Sequence, residues 1–376
     1  MKEKLKTLSQ ELKADLAALS DYIHDNPELG HVEFKACAAL TQYLASHDFK
    51  VKTSLEGIET AFMATYDSGL PGPSVAFLCE YDALPEIGHG CGHNMIGAMS
   101  AGAGVLLSKV MNEVGGKVFV FGTPAEETNG AKVPLTAAGY FDDMDAVMMA
   151  HPGDKTQSSG TSLAIEPIEF KYTGKTSHAA ASPEKGINAL NSVIALYNGI
   201  DALRQHVTPD VRMHGVITSG GVAANVVPDE AVTQWYFRAA TKEGLAVVLE
   251  KVRAIGEAAA LMTGATLEMH QYELAYDDLK TNQVLSDTFD ENLRQLGITD
   301  IVPKEGGMGS IDIGNVSNVA PTIHPYIAVT ACPTVGHTRE MAAATTTPLA
   351  HDRLMVTVVA LAQTGYDVLS KAIVLK

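Results

Sequence analysis

Cys91 and His93 lie one residue apart in a glycine-rich stretch, residues 88–93, and form the strongest chemical signal in the chain. Thiolate and imidazole are preferred ligands of zinc and other borderline divalent ions. Because glycine has no Cβ, Gly90 and Gly92 let the backbone curl and direct neighbouring side chains at one point. We therefore expect Cys91 and His93 to bind a metal ion. His89 could be a further ligand or a hydrogen-bonding group within the loop, and we favour the second.

Further candidate ligands follow two short apolar runs downstream. Glu126 and Glu127 come after residues 118–121, and His151 comes directly after residues 147–150. Open α/β sheets bind ligands at the carboxyl ends of their strands, so these side chains are expected beside Cys91 and His93. Adjacent carboxylates point in different directions, so one can hold a metal while the other faces a bound water. In isolation a Glu-Glu pair would be a solvated loop; the repetition of ligands at strand ends favours a metal site.

The surrounding elements predict an α/β fold in two parts. Up to about residue 166, short apolar strands alternate with helices, which is typical of an α/β layer with a largely parallel sheet. Residues 167–278 read strand-helix-strand-strand-helix-strand, the order of a ferredoxin-like domain. We therefore predict an α/β sandwich catalytic domain formed by residues 1–166 and 279–376. The ferredoxin-like βαββαβ domain, residues 167–278, is inserted into it as a lid and dimerisation domain.

Composition excludes several classes of partner. The chain has 27 Lys+Arg against 44 Asp+Glu, a formal net charge of -17, which repels nucleic acid and anionic lipid. No apolar run of about 18 residues would span a membrane, and the amino-terminal segment is charged. The four cysteines show no disulfide-framework spacing. We expect a cytoplasmic protein with neither nucleic acid nor membrane as a partner.

Five segments together resemble the aminoacylase-1-like metallopeptidase and amidohydrolase family. The resemblance covers nearly the whole chain, and residues 309–317 and 336–340 place it near the aminobenzoyl-glutamate hydrolase and aminoacylase-1-like-2 branch. The segments that carry it are residues 24–30, 89–94, 122–127, 177–180 and 336–340. The resemblance implies hydrolysis of amide or peptide bonds in N-acyl amino acids, aminobenzoyl-glutamate-like conjugates or small dipeptides.

The resemblance also implies a centre of two divalent ions, zinc or manganese. Glu126 would be the general base on a metal-bridging water. The segment Glu80-Tyr81-Asp82 stands where more distant relatives carry a His-x-Asp ligand pair, and we expect Asp82 to support the loop and not to bind a metal. His337 is identified only by the resemblance, since it lies far from His151 in sequence. The implied metal ligands are Cys91, His93, Glu127, His151 and His337.

The inserted domain is implied to complete the site. His178 corresponds to a histidine that stabilises the oxyanion in the partner protomer's active site, so the resemblance favours a homodimer; whether His178 acts within its own protomer stays open. Asn225 resembles a substrate-contacting asparagine. Arg238 and Arg339 are candidates to bind a substrate carboxylate, although Arg238 could equally be a solvated charge at a strand edge.

Two other classes of function compete with this hypothesis. A cysteine hydrolase would use Cys91 as nucleophile and His93 as base, but it gives Glu126, Glu127 and His151 no role. A non-catalytic binding protein on the same scaffold would have no need of Glu126. A metal chelator would abolish the activity of a metallohydrolase and spare that of a cysteine hydrolase.

Overall fold

The computed structural model describes residues 1–303 and 309–375. Its helices are α1 (Lys2–Leu8), α2 (Lys13–Asp25), α3 (Phe34–Ala45), α4 (His93–Ser108), α5 (Met111–Val114), α6 (Lys132–Ala137), α7 (Ala189–Leu203), α8 (Lys242–Thr263), α9 (Gln283–Gln295), α10 (Ile313–Ser317), α11 (Arg339–Ala344) and α12 (Pro348–Leu369). Its strands are β1 (Lys50–Leu55), β2 (Ile58–Asp67), β3 (Ser74–Cys79), β4 (Lys117–Gly122), β5 (Ala146–Met148), β6 (His151–Gly153), β7 (Ala164–Thr173), β8 (Arg212–Ser219), β9 (Glu230–Ala239), β10 (Thr266–Gln271), β11 (Thr322–Ile323) and β12 (Tyr326–Ala328).

A six-stranded sheet organises the first of two compact units. This unit contains the described residues 1–161, 279–303 and 311–375, and its strand order is β1-β2-β4-β3-β5-β11. The strands β4, β3, β5 and β11 pair in parallel, whereas β1 and β2 are antiparallel. The α/β class is thus confirmed. The antiparallel edge forms because Glu56 and Gly57, both with positive φ, join β1 to β2 in a tight hairpin.

The core of this unit is built around α4, whose residues are all buried. Small residues allow close packing: a methyl group at Gly102 would lie 2.6 Å from Leu16 Cδ1, and one at Gly104 would collide with Val120. Helix α4 contacts β3 on one side and α2 and α12 elsewhere, so both ends of the chain share one core. Although α8 and α12 each have 22 residues, no helix within the described residues is long and apolar enough to cross a bilayer.

The second unit contains residues 162–278 and the described residues 309–310. Its elements run β7-α7-β8-β9-α8-β10, and its antiparallel sheet has the order β10-β7-β9-β8. Aromatic residues of β7 and β9, among them Phe170, Tyr172 and Trp235, form its core with α7 and α8. This arrangement confirms the ferredoxin-like order expected from the sequence.

Candidate metal centre

Three adjacent parallel strands end beside one another and deliver polar side chains to one edge of the sheet. Cys79, the last residue of β3, pairs with Gly122, the last residue of β4, and Phe77 of β3 pairs with Met148 of β5. Each strand is followed within a few residues by candidate ligands. Those residues are Glu80 after β3, Glu126 and Glu127 after β4, and His151 after β5.

These side chains form two overlapping groups of potential ligand atoms. One group contains Cys91, His93 and Glu127, the other contains Glu80, His93 and His151, and the ligand atoms of each lie within 4.8 Å of one another. His337 joins the first group, since its Nε2 lies 3.7 Å from Glu127 Oε1. The structure therefore brings together all five side chains that the resemblance implied as ligands. It adds Glu80, which the sequence analysis did not name as a ligand.

His93 has the orientation of a metal-binding imidazole. Its Nδ1 lies 2.9 Å from Asp82 Oδ1 and 3.1 Å from the Asp82 carbonyl, so Nδ1 donates to these two oxygens. Nε2 then faces the donor groups and, although buried, has no hydrogen-bond partner among the described residues. A carboxylate that holds the far nitrogen of a ligating histidine is a recurrent feature of metal sites. Asp82 thus supports His93 and belongs to neither donor group.

The opposite charges of His93 and Asp82 outweigh the effect of burial on the pKa values of both groups. Burial alone would lower the pKa of His93, but the neighbouring Asp82 and Glu80 carboxylates raise it to about 10. Burial opposes ionisation of Asp82 too, yet the attraction of His93 brings the pKa of Asp82 down to about 2. A divalent cation would compete with the proton for the imidazole and would satisfy its Nε2. The residues present therefore fit a divalent metal.

Cys91 is a poor candidate for an activated nucleophile. Its pKa is raised far above the ordinary value, first by burial and then by the adjacent Glu127 carboxylate. Nucleophilic cysteines show the opposite shift, because the thiolate is the reactive form. A bound cation removes this penalty, since a coordinating thiol loses its proton. The environment of Cys91 therefore favours a ligand over a nucleophile.

Glycines fix the loop that carries Cys91. Gly92 has φ +78°, and a methyl group there would lie 2.8 Å from Pro152 Cγ. The carbonyl of Gly90 accepts a hydrogen bond of 3.0 Å from the His337 amide. This backbone contact brings His337 to the centre, and no spacing in the sequence indicates it.

A buried glutamate holds the turn that precedes Glu126. Ala125 has φ +64°, an uncommon conformation for a residue with a side chain. Its amide donates to Glu33 Oε1 at 2.9 Å, and Thr60 Oγ1 donates to Glu33 Oε2 at 2.9 Å. Burial raises the pKa of Glu33 to about 7. Burial, followed by the charges of Glu80 and Asp312, also raises the pKa of Glu126 well above its ordinary value.

Two residues near the centre have other partners within the first unit. His89 Nε2 lies 3.1 Å from the Ile23 carbonyl, and burial lowers the pKa of His89 to about 3. His89 belongs to neither donor group, in keeping with the hydrogen-bonding role that we favoured. Arg339 is exposed and donates to the Glu86 carbonyl at 3.2 Å.

The remaining candidates lie in the second unit. His178 Nδ1 accepts hydrogen bonds from the amides of Ala180 and Ala181, so the ring proton lies on Nε2. The Asn225 carbonyl accepts a bond of 3.0 Å from the Ala179 amide, so Asn225 lies on the loop opposite His178. Arg238 donates to Ser310 Oγ at 2.8 Å. Arg238 is therefore held by a specific partner and is not a free edge charge.

Comparison with known proteins gives consistent matches. Residues 168–262 match a family model described as a peptidase dimerisation domain. The mouse (Mus musculus) Xaa-Arg dipeptidase is 37% identical over 376 residues, which cover 96% of this chain and 87% of that protein. An Escherichia coli p-aminobenzoyl-glutamate hydrolase subunit is 32% identical over 300 residues, 74% of this chain and 62% of that one. A Bacillus subtilis dinuclear metal binding peptidase of the M20 family has the same fold, with a TM-score of 0.67, 20% identity, and coverage of 94% and 99% of the two chains.

Proposed function

This chain belongs to the M20 peptidase family, whose members hydrolyse C–N bonds. From that premise we propose that it is a metallohydrolase of small dipeptides, N-acyl amino acids or aminobenzoyl-glutamate-like conjugates. Two divalent ions, zinc or manganese, would be held by Cys91, His93, Glu127, His151 and His337. The observation that carries the proposal is the meeting of these donors at one sheet edge, with Glu126 adjacent to Glu127. The names of two relatives, a dipeptidase and a p-aminobenzoyl-glutamate hydrolase, support the substrate class.

The chemistry can be derived from the chain's own residues. When bound, the ions would polarise the scissile carbonyl and acidify water. Glu126 takes a proton from the attacking water and delivers it to the leaving amine nitrogen. Glu33 holds the Ala125 amide and thereby fixes the turn that presents Glu126.

The second unit would supply the remaining groups in a homodimer. Its match to a peptidase dimerisation domain supports assembly through residues 167–278, which would also serve as the lid of a catalytic domain formed by residues 1–166 and 279–376. We assign oxyanion stabilisation to His178 and substrate binding to Asn225 and Arg238, with Arg339 as a second cation for a substrate carboxylate. If His178 acts on the partner's site, mixing His178→Ala protein with Glu126→Gln protein should restore part of the activity. Confirmed heterodimers that stay inactive would contradict this arrangement.

Metal analysis followed by a substrate panel tests the proposal. Purified protein is stripped with a chelator, reloaded with zinc or manganese, and assayed on dipeptides, N-acyl amino acids and p-aminobenzoyl-glutamate. Each substrate is paired with its carboxyl-amidated form. We expect activity that depends on the metal and falls when the carboxylate is blocked. Full activity in the presence of chelator would contradict metal dependence and would return Cys91 to consideration as a nucleophile.

A further inference from the structure

Glu80 lies between the candidate metal ligands and a buried lysine. Its Oε1 accepts a hydrogen bond of 2.6 Å from Lys132 Nζ. Its Oε2 is buried and lies 3.5 Å from His93 Nε2, and neither atom has a hydrogen-bond partner within the described part of the chain. Two buried atoms that make no hydrogen bond thus face each other. Each would be satisfied by a cation between them.

Lys132 is itself fixed in place. Its Nζ donates to Asp312 Oδ1 at 2.7 Å and its backbone amide to Asp312 Oδ2 at 3.3 Å, and both side chains are fully buried. Gly130 permits this approach, because a methyl group there would collide with the Asp312 carboxylate. Lys132 therefore holds one oxygen of Glu80 in a defined position and leaves the other free.

The balance of buried charge distinguishes a metal donor from a simple structural ion pair. Three buried carboxylates lie close to two buried cationic side chains: Glu80 and Asp312 contact Lys132, and Asp82 contacts His93. Even with His93 protonated, the carboxylates outnumber the cations by three to two. Surplus charge in the interior is costly unless it is paired or bound to a metal. A structural ion pair would not need this surplus, whereas a bound cation accounts for it.

We propose that Glu80 is a further metal donor in this chain, with one carboxylate oxygen on Lys132 and the other on a cation shared with His93 and His151. This inference rests on the proposed function but extends its ligand set. It assigns Glu80, His93 and His151 to one ion, and Cys91, Glu127 and His337 to the other. Both donor groups contain His93, whose Nε2 can bind only one ion, and Glu80 gives the ion held by His93 and His151 an anionic ligand of its own.

Zinc uptake by two Glu80 variants tests the inference. Zinc-loaded wild-type, Glu80→Gln and Glu80→Asp proteins are dialysed against buffers of fixed free zinc, and the ions per chain are counted by elemental analysis. Glu80→Gln keeps the shape and the acceptor for Lys132 but removes the charge. Glu80→Asp keeps the charge but shortens the reach. Glu59→Gln, on the exposed surface of β2, is the matched control.

We expect wild type and Glu59→Gln to hold two ions, and both Glu80 variants to lose one ion with an affinity lower by at least about tenfold. Two ions bound with unchanged affinity in Glu80→Gln would overturn the inference and leave the proposed function intact. No zinc uptake by wild type would instead contradict the proposed function. A loss in Glu80→Gln alone, with Glu80→Asp unchanged, would mean that the charge acts without ligation and would also refute the assignment.

A wild-type measurement covers the case in which the variants fail to fold. In crystals of the zinc-loaded protein, anomalous scattering locates the ions directly. We expect one zinc peak within about 2.2 Å of a Glu80 carboxylate oxygen, the usual zinc–carboxylate distance. Zinc peaks that are all beyond contact with Glu80 would refute its role as a donor.

Discussion

Replacing Glu33 by glutamine should remove a pH-dependent loss of stability in the first unit. Burial raises the pKa of Glu33 from 4.5 to about 7, so the folded chain binds this proton more tightly than the unfolded chain. The stability that the proton supplies is complete below pH 4.5 and is lost as the pH rises through about 7. A pKa rise of this size corresponds to about 3 kcal/mol. The substituted glutamine keeps an acceptor for the Ala125 amide and can donate to Thr60 Oγ1, so it avoids the cost of ionisation.

The assay must report on the first unit alone. The single tryptophan, Trp235, is buried in the second unit, so its fluorescence does not serve. Hydrogen exchange of the β3 and β4 amides, measured by mass spectrometry at pH 5 and pH 8, follows the first unit. We expect the stability of Glu33→Gln relative to wild type to rise by about 3 kcal/mol across the titration. Glu59→Gln should show no such change. If the Glu33→Gln advantage were the same at both pH values, the reasoning would be wrong.

Three other substitutions test local packing and positioning. Glu33→Ala removes the acceptor of the Ala125 amide, so its kcat should fall below that of wild type while its metal content stays constant. Glu33→Gln keeps an acceptor for this amide, so its kcat should equal that of wild type. Lys132→Met leaves two buried carboxylates without their cation and should destabilise the fold by roughly 3–5 kcal/mol in thermal unfolding, whereas Lys4→Met at an exposed pair should change it little. Gly122→Ala should cost about 1–3 kcal/mol in the same measurement because the added methyl group collides with the Phe62 ring. Gly309→Ala should be neutral, since, apart from its chain neighbours, no atom of the described residues lies within 4 Å of the added methyl group. Unchanged metal-loaded kcat in Glu33→Ala, or unchanged melting in Lys132→Met or Gly122→Ala, would contradict the corresponding contact.

Local signals predicted much of the fold and of the donor set. The strand-helix order predicted the ferredoxin-like arrangement of the second unit, and the apolar runs at residues 118–121 and 147–150 located β4 and β5. The polar residues after those runs meet because parallel strands end at one edge. The same rule also places Glu80 at this edge, because Glu80 directly follows β3. Strand β1 gives no such signal in the sequence, because it is mostly exposed and has no regular apolar alternation.

The residues that spacing could not identify act through contacts distant in sequence. His337 reaches the centre through a backbone bond to Gly90, and only the family resemblance indicated it. Lys132 and Asp312 are 180 positions apart, and Glu33 and Ala125 are 92 apart. A single buried lysine or glutamate produces no periodic sequence pattern. Its role depends on partners that only the folded chain brings into contact with it.

Turnover by Glu126→Gln protein, measured with the metal content of the same sample, tests the central claim most directly. Glutamine keeps the shape of the side chain and removes its ability to accept the proton from water. We expect the variant to hold as much metal as wild type and to lose about 10²–10⁴-fold in kcat, the usual contribution of a general acid–base group. Hydrolysis at the wild-type rate by fully metal-loaded Glu126→Gln protein would contradict the mechanism.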